Sequence, residues 1–253
     1  MLRENIVESL LGKTTQKRKS RIPARLDFLQ SATGLILAIF ILLHLLFESS
    51  ILLGKNFMYA LTKFFEGEFI IEGGSPIFIS VLAFVIFAIF IIHALLAMRK
   101  FPSSYREYLR LKTHATLMKH SDTNLWIIQA ITGFMMFFLG SIHLYIVMTQ
   151  PQNIGPFASS DRMYSDNFYP LYFMLLVSVV LHGGAGIYRL IMKWGWFDGD
   201  NPKKNRLKTR KIVKIVTAIY LIMGLFSLIT YTKIGYEHQN EYGKRYEVNK
   251  NEN

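Results

Sequence analysis

Residues 129–145 read "QAITGFMMFFLGSIHLY", and residues 30–46 read "QSATGLILAIFILLHLL". Both stretches are apolar enough to dissolve in lipid, yet each carries a histidine near its far end. Gln30, Thr33, Gly34 and His44 match Gln129, Thr132, Gly133 and His143 in spacing, so the two stretches form a loose repeat. Three more apolar blocks lie around them. The five, at about 27–47, 77–98, 125–148, 170–192 and 212–232, have the length that crosses a ~30 Å hydrocarbon core. This predicts an all-α polytopic membrane protein with five transmembrane helices, a single domain over 1–253. Four helices form its core and a fifth is added. The polar tail at 233–253 is expected to be poorly ordered.

The 253 residues are 51% hydrophobic and contain no cysteine. That excludes disulfides, thiolate-held iron–sulfur clusters and covalent c-type haem, so any metal must be held by His or oxygen ligands. The net charge of +12 is unevenly placed. Seven Lys/Arg fall in 1–26, six in 99–124 and nine in 189–214, against two in 48–76, one in 149–169 and four after 232. The positive-inside rule makes the basic side cytoplasmic, with the N-terminus inside and the C-terminus outside. Such a distribution serves topology and anionic lipid, or the docking of a cytoplasmic partner, and not nucleic acid. The first 26 residues lack a small-residue cleavage site, as expected of a retained first span. The segment 99–124 reads as a long polar loop. In 48–76, Met58, Leu61, Phe64 and Phe65 recur at helical spacing and predict a short interfacial helix.

Of seven histidines, His114, His120 and His238 fall in predicted loops and are expected to be solvated. His44, His93, His143 and His182 occupy the first four spans, one each. An ionisable ring in lipid is costly, and four so distributed point to a shared function. At ~1.5 Å per residue, His44 and His143 lie about 10 Å outward of their span centres, and His93 roughly 8 Å inward. His182 is close to the middle on the inner side. Two layers result: His44 with His143, and His93 with His182. A pair of imidazoles from facing helices suits the two axial positions of a haem iron. Gly140 and Gly186 supply room nearby, although small residues also serve plain helix packing.

The stretches "LDFLQSATG", "HALLAMRKFP", "LWIIQAITGFMMFFLGSIHLY", "QPQNIGP" and "YRLIMKWGWF" together resemble the dihaem cytochrome b subunit of epsilonproteobacterial quinol:fumarate reductase, over nearly the whole chain. The resemblance implies two haem b groups, with His93 and His182 on the proximal iron and His44 and His143 on the distal one. It implies a flavoprotein (FAD) subunit and an iron–sulfur subunit as partners, a dimer of such heterotrimers, and the bacterial cytoplasmic membrane as location. It also implies a menaquinol site near the distal haem. There Glu66, in "FFEGEF", stands at the position of a quinol-site glutamate and would accept a proton. Gln30, Ser31, Trp126 and Lys193 lie near the cytoplasmic span ends, where haem propionates could meet them. One departure stands out. The family carries a proton-returning glutamate two residues before the fourth haem-ligand histidine, and this chain has Val180 there.

Two other classes compete with a quinone-linked electron carrier. A histidine-relay transporter would show broken helices and midplane acids, but spans two to five contain no Asp or Glu. A haem-free anchor would use the histidines only as hydrogen-bonding groups. Running as a succinate:quinone reductase remains open, since the dicarboxylate chemistry belongs to another subunit.

Overall fold

The computed structural model describes residues 21–118 and 121–248. In chain order its helices are α1 (Ile22–Glu48), α2 (Lys55–Phe65), α3 (Ile77–Met98), α4 (Tyr105–Met118), α5 (Ser121–Thr149), α6 (Pro156–Tyr164), α7 (Tyr169–Trp194) and α8 (Pro202–His238). Short 3₁₀ turns, Ser49–Leu53 and Gln239–Glu241, continue α1 and α8. Prolines stand in the first turns of α1, α6, α7 and α8, where the amide they lack has no intrahelical partner anyway. No strand occurs among the described residues.

Among the described residues, five helices are long and apolar enough to span a membrane: α1 with its 3₁₀ extension, α3, α5, α7 and α8. Side chains such as Ile39, Phe84, Phe134 and Ile222 stand exposed on their outer faces, as expected where lipid is the solvent. The first four close a ring, α1 against α3, α3 against α5, α5 against α7, and α7 back against α1. Helix α8 lies outside the ring against α7. At Gly184 a Cβ would meet Thr217, and at Gly224 it would meet Leu176, so the glycines let these backbones approach. At the end opposite the basic loops, Ser227 donates to Ser49 at 3.0 Å and the buried Tyr231 hydroxyl donates to the Glu48 carbonyl at 3.2 Å.

Three expectations are corrected. Segment 99–124 is not a long loop: Ser104 caps the Glu107 amide at 3.3 Å while Glu107 accepts from the Ser103 amide at 3.0 Å, and α4 follows. The helix that carries the fifth span, α8, runs past 212–232 at both ends and has 37 residues, about 55 Å. Hydropathy registers only its apolar centre, while the basic first turns, capped by Asn201, and the last turns with Glu237 lie beyond the hydrocarbon. From 233 to 248 the tail is not a loose polar end, and the expectation for 249–253 lies outside the described residues. Helix α8 continues to His238, and Tyr242, Gly243 and Tyr246 then bond to Asp166, Asp161 and Asn56. His238 is therefore not solvated but 6% exposed, bonded to Asp161 and stacked on Phe157. The expectations for residues 1–20 and His120, and for the side chain of His114, lie outside the described residues. The interfacial helix expected at 58–65 is present as α2.

Candidate functional site

The Gln-x-x-Thr-Gly repeat seats the histidine of the following span. On α1, Gly34 lies so close to His93 of α3 that a Cβ would come within 2.9 Å of the ring. Thr33 uses its hydroxyl hydrogen on the Leu29 carbonyl at 2.9 Å, so its oxygen accepts from His93 Nδ1 at 3.1 Å. On α5, Gly133 does the same for His182 of α7, where a Cβ would fall 2.8 Å from the ring. His182 Nδ1 donates to the Gln129 carbonyl at 2.9 Å. In both halves Nδ1 carries the proton, which leaves Nε2 with its lone pair free, the state a metal-ligating histidine requires. Gly34 and Gly133 each stand ten residues before His44 and His143. The two histidine levels are therefore about 15 Å apart along the helices.

With the four helices in cyclic order, each pair spans the ring. His93 and His182 are on α3 and α7, His44 and His143 on α1 and α5. The His44 and His143 ring centroids are 6.0 Å apart with planes at 46°. That gap suits one iron bonded on each side to an imidazole nitrogen at about 2 Å. His143 Nδ1 meets the Tyr172 hydroxyl at 3.3 Å, and Phe40 stacks on His44. A cavity of about 480 Å³ opens here, lined by both histidines, Gly140, Glu48, Arg162 and Tyr172. It lies within the range of cofactor sites. No group of three or more His, Asp or Glu gathers among the described residues. A porphyrin asks for only two protein ligands, since it brings four nitrogens of its own. The residues present fit the group.

At the basic end, Lys193 donates to Ser31 Oγ at 2.8 Å, and both Lys193 and Lys100 pair with Asp27. Gln30 Oε1 is buried without a hydrogen-bond partner. Ser31 and Lys193 are thus brought together, with Gln30 next to Ser31 in the chain. Trp126 is not joined to them by any hydrogen bond, and its ring meets Phe101. Gly186 faces the Gln129 side chain, while Gly140 faces Phe90 in the cavity wall.

Glu66 caps the end of α2 and is 5% exposed. Its Oε2 accepts from Lys63 at 2.7 Å, and Ser75 N–H closes the loop onto its carbonyl. That carboxylate raises the pKa of Lys63 and keeps it charged. Phe65, next to Glu66, lines the cavity and meets Phe47 edge-on at 4.7 Å; the Glu66 side chain is not part of the lining. Val180 is buried in an apolar cluster with Leu176, Val179 and Leu228.

Sequence reasoning did not single out Asp27, Arg162 or Tyr172. Arg162 is buried, donates to the Asn153 carbonyl at 2.6 Å, and has no carboxylate partner among the described residues. The signal was present: it is the only Lys or Arg in 149–169.

A family profile described as the succinate dehydrogenase/fumarate reductase transmembrane subunit matches residues 105–225. The chain is 56% identical over 237 residues to the fumarate reductase cytochrome b subunit of Wolinella succinogenes, covering 94% of this chain and 93% of that one. To the protein of the same name in Helicobacter pylori strain J99 it is 47% identical over 240 residues, covering 95% and 92%. Five spans and a match along almost the whole of each relative leave one conclusion: the chain belongs to the fumarate reductase cytochrome b subunits of epsilonproteobacterial type, multi-pass proteins of the inner membrane in the succinate dehydrogenase/fumarate reductase family.

Proposed function

We propose that this subunit holds two bis-histidine b haems and oxidises menaquinol at the end remote from the basic loops, serving fumarate reduction by flavoprotein and iron–sulfur subunits bound at the basic, cytoplasmic end. The observation that carries this is the paired seating of His93 and His182, each with Nδ1 occupied and Nε2 free. When bound, the two haems supply a one-electron relay across the bilayer. His44 and His143 ligate one iron, His93 and His182 the other. Arg162, a buried cation without a carboxylate partner among the described residues, would neutralise a haem carboxylate at the far end; Lys193 and Ser31 offer donors for one at the basic end. Glu66 takes the proton that a quinol hydroxyl loses on oxidation, and the Lys63 hydrogen bond holds its side chain in place. Menaquinol gives up two protons and two electrons, so a base at that point is required. The pyridine haemochrome content and reduced-minus-oxidised spectrum of the purified complex test the reading. Two b haems per chain support it; one or none refutes it.

Nothing in this chain sets the direction of turnover. Succinate:quinone reduction would use the same residues, with Glu66 returning its proton to the quinone.

A further inference from the structure

Helix α6 carries Arg162 into the cavity, and the residue before it, Asp161, faces away. Both Asp161 and His238 are nearly inaccessible, with side chains 5% exposed. His238 Nδ1 donates to Asp161 Oδ1 at 2.8 Å and the Gly243 amide donates to Asp161 Oδ2 at 3.0 Å. The His238 ring lies flat on Phe157, from the first turn of α6, with centroids 4.0 Å apart. One turn earlier on α8, Gly235 touches the α6 backbone. A Cβ there would collide with the Ser160 carbonyl and come 2.8 Å from Tyr164 Cβ. Beyond the clasp, Tyr242 OH donates to Asp166 Oδ1 at 2.8 Å, just past the end of α6. A nine-residue helix has little stability of its own. Its place is set by these contacts with the end of α8, all on the side opposite the cavity.

We propose that Gly235, His238 and Asp161 form a clasp that positions Arg162, and that through Arg162 the clasp sets the reduction potential of the haem held by His44 and His143. Burying two partners that could pair in water costs desolvation, and such a pair is retained where it fixes one geometry over others. The geometry fixed here keeps Arg162 in the cavity wall. A cation near a haem favours the reduced form, which carries one more negative charge, so withdrawing Arg162 lowers the potential. The direct effect of Asp161 has the opposite sign, because removing its negative charge raises the potential. Asp161 and His238 are positioning residues, since neither lines the cavity.

The inference rests on the dihaem reading, and one experiment separates the two. The assembled complex is titrated potentiometrically, following both haems by their visible spectra, for the parent, Gly235→Ala, Asp161→Asn and His238→Asn. A parent lacking a second b haem refutes the dihaem reading. With two haems present, the far-end haem should shift to lower potential in Gly235→Ala, which moves α6 without altering any charge, and in Asp161→Asn. The other haem should not move. His238→Asn, whose amide can still donate to Asp161, should lie nearer the parent than Asp161→Asn. An unchanged far-end potential in Gly235→Ala, or a raised one in Asp161→Asn, overturns the proposal. If Gly235→Ala does not assemble, the sign in Asp161→Asn decides alone.

Discussion

Gly34 of α1 and His93 of α3 are in contact so close that no other residue fits at position 34 without moving the ring. A Cβ would stand 2.9 Å from His93 Cε1 and 3.5 Å from Nδ1. Gly133 and His182 repeat the arrangement more tightly, at 2.8 and 3.0 Å. Replacing a mid-helix glycine by alanine should favour the helix by about 1 kcal/mol, so any loss is steric. Gly34→Ala and Gly133→Ala should each perturb the haem between α3 and α7, the second more, because its Cβ crowds the nitrogen bonded to Gln129. Gly183→Ala, next to His182 but with open space at its Cβ, should be tolerated. Haem content and the reduced visible spectrum of each variant check this.

Alanine at His93 or His182 should remove one haem, and alanine at His44 or His143 the other. The spectra of the four variants should therefore fall into two classes. Retention of both haems in any one of them would contradict the ligand assignment.

Glu66→Gln should keep both haem spectra and the activity of the complex with an artificial electron donor, while menaquinol-linked turnover falls by about 10²-fold or more, the scale of a lost proton acceptor. Lys63, with its pKa raised by Glu66, stays protonated from acid pH up through its ordinary value near 10.4. It loses the proton only at higher pH. Quinol activity between about pH 6 and 9 should accordingly show no titration that Lys63→Met removes.

Val180 places an apolar side chain where the resemblance implies a proton-returning glutamate, and its surroundings are apolar as well. On the proposed function, quinol oxidised at the far end would release protons outside, while fumarate reduction would consume them inside. Each charge moved against 100 mV costs about 2.3 kcal/mol, and only a titratable group between the two histidine levels could offset that with an inward proton. In sealed vesicles, quinol-driven fumarate reduction by the complex should therefore build a membrane potential, read with a voltage-sensitive dye. Val180→Glu should diminish it. Electroneutral turnover with Val180 in place would show that another proton path exists.

What the sequence determined by itself was local or periodic in nature. Apolar blocks of spanning length predict five crossings because lipid demands an unbroken apolar run with its backbone bonds satisfied internally. The distances of four histidines from their span centres sort them into two layers because a helix rises by a constant amount per residue. Even the Ser104–Glu107 capping box was there to be read. The tertiary structure alone decided the contacts between distant segments. Asp161 meets His238 across 77 positions, and Lys193 meets Asp27 across 166. A polar tail reads as solvated until it is known which helix it returns to. Hydropathy averages over a window, so it sees neither the one arginine that α6 turns into the cavity nor the glycine at which α8 lets α6 approach. Those choices belong to side-chain packing between helices, where a single missing Cβ determines which histidine can be seated.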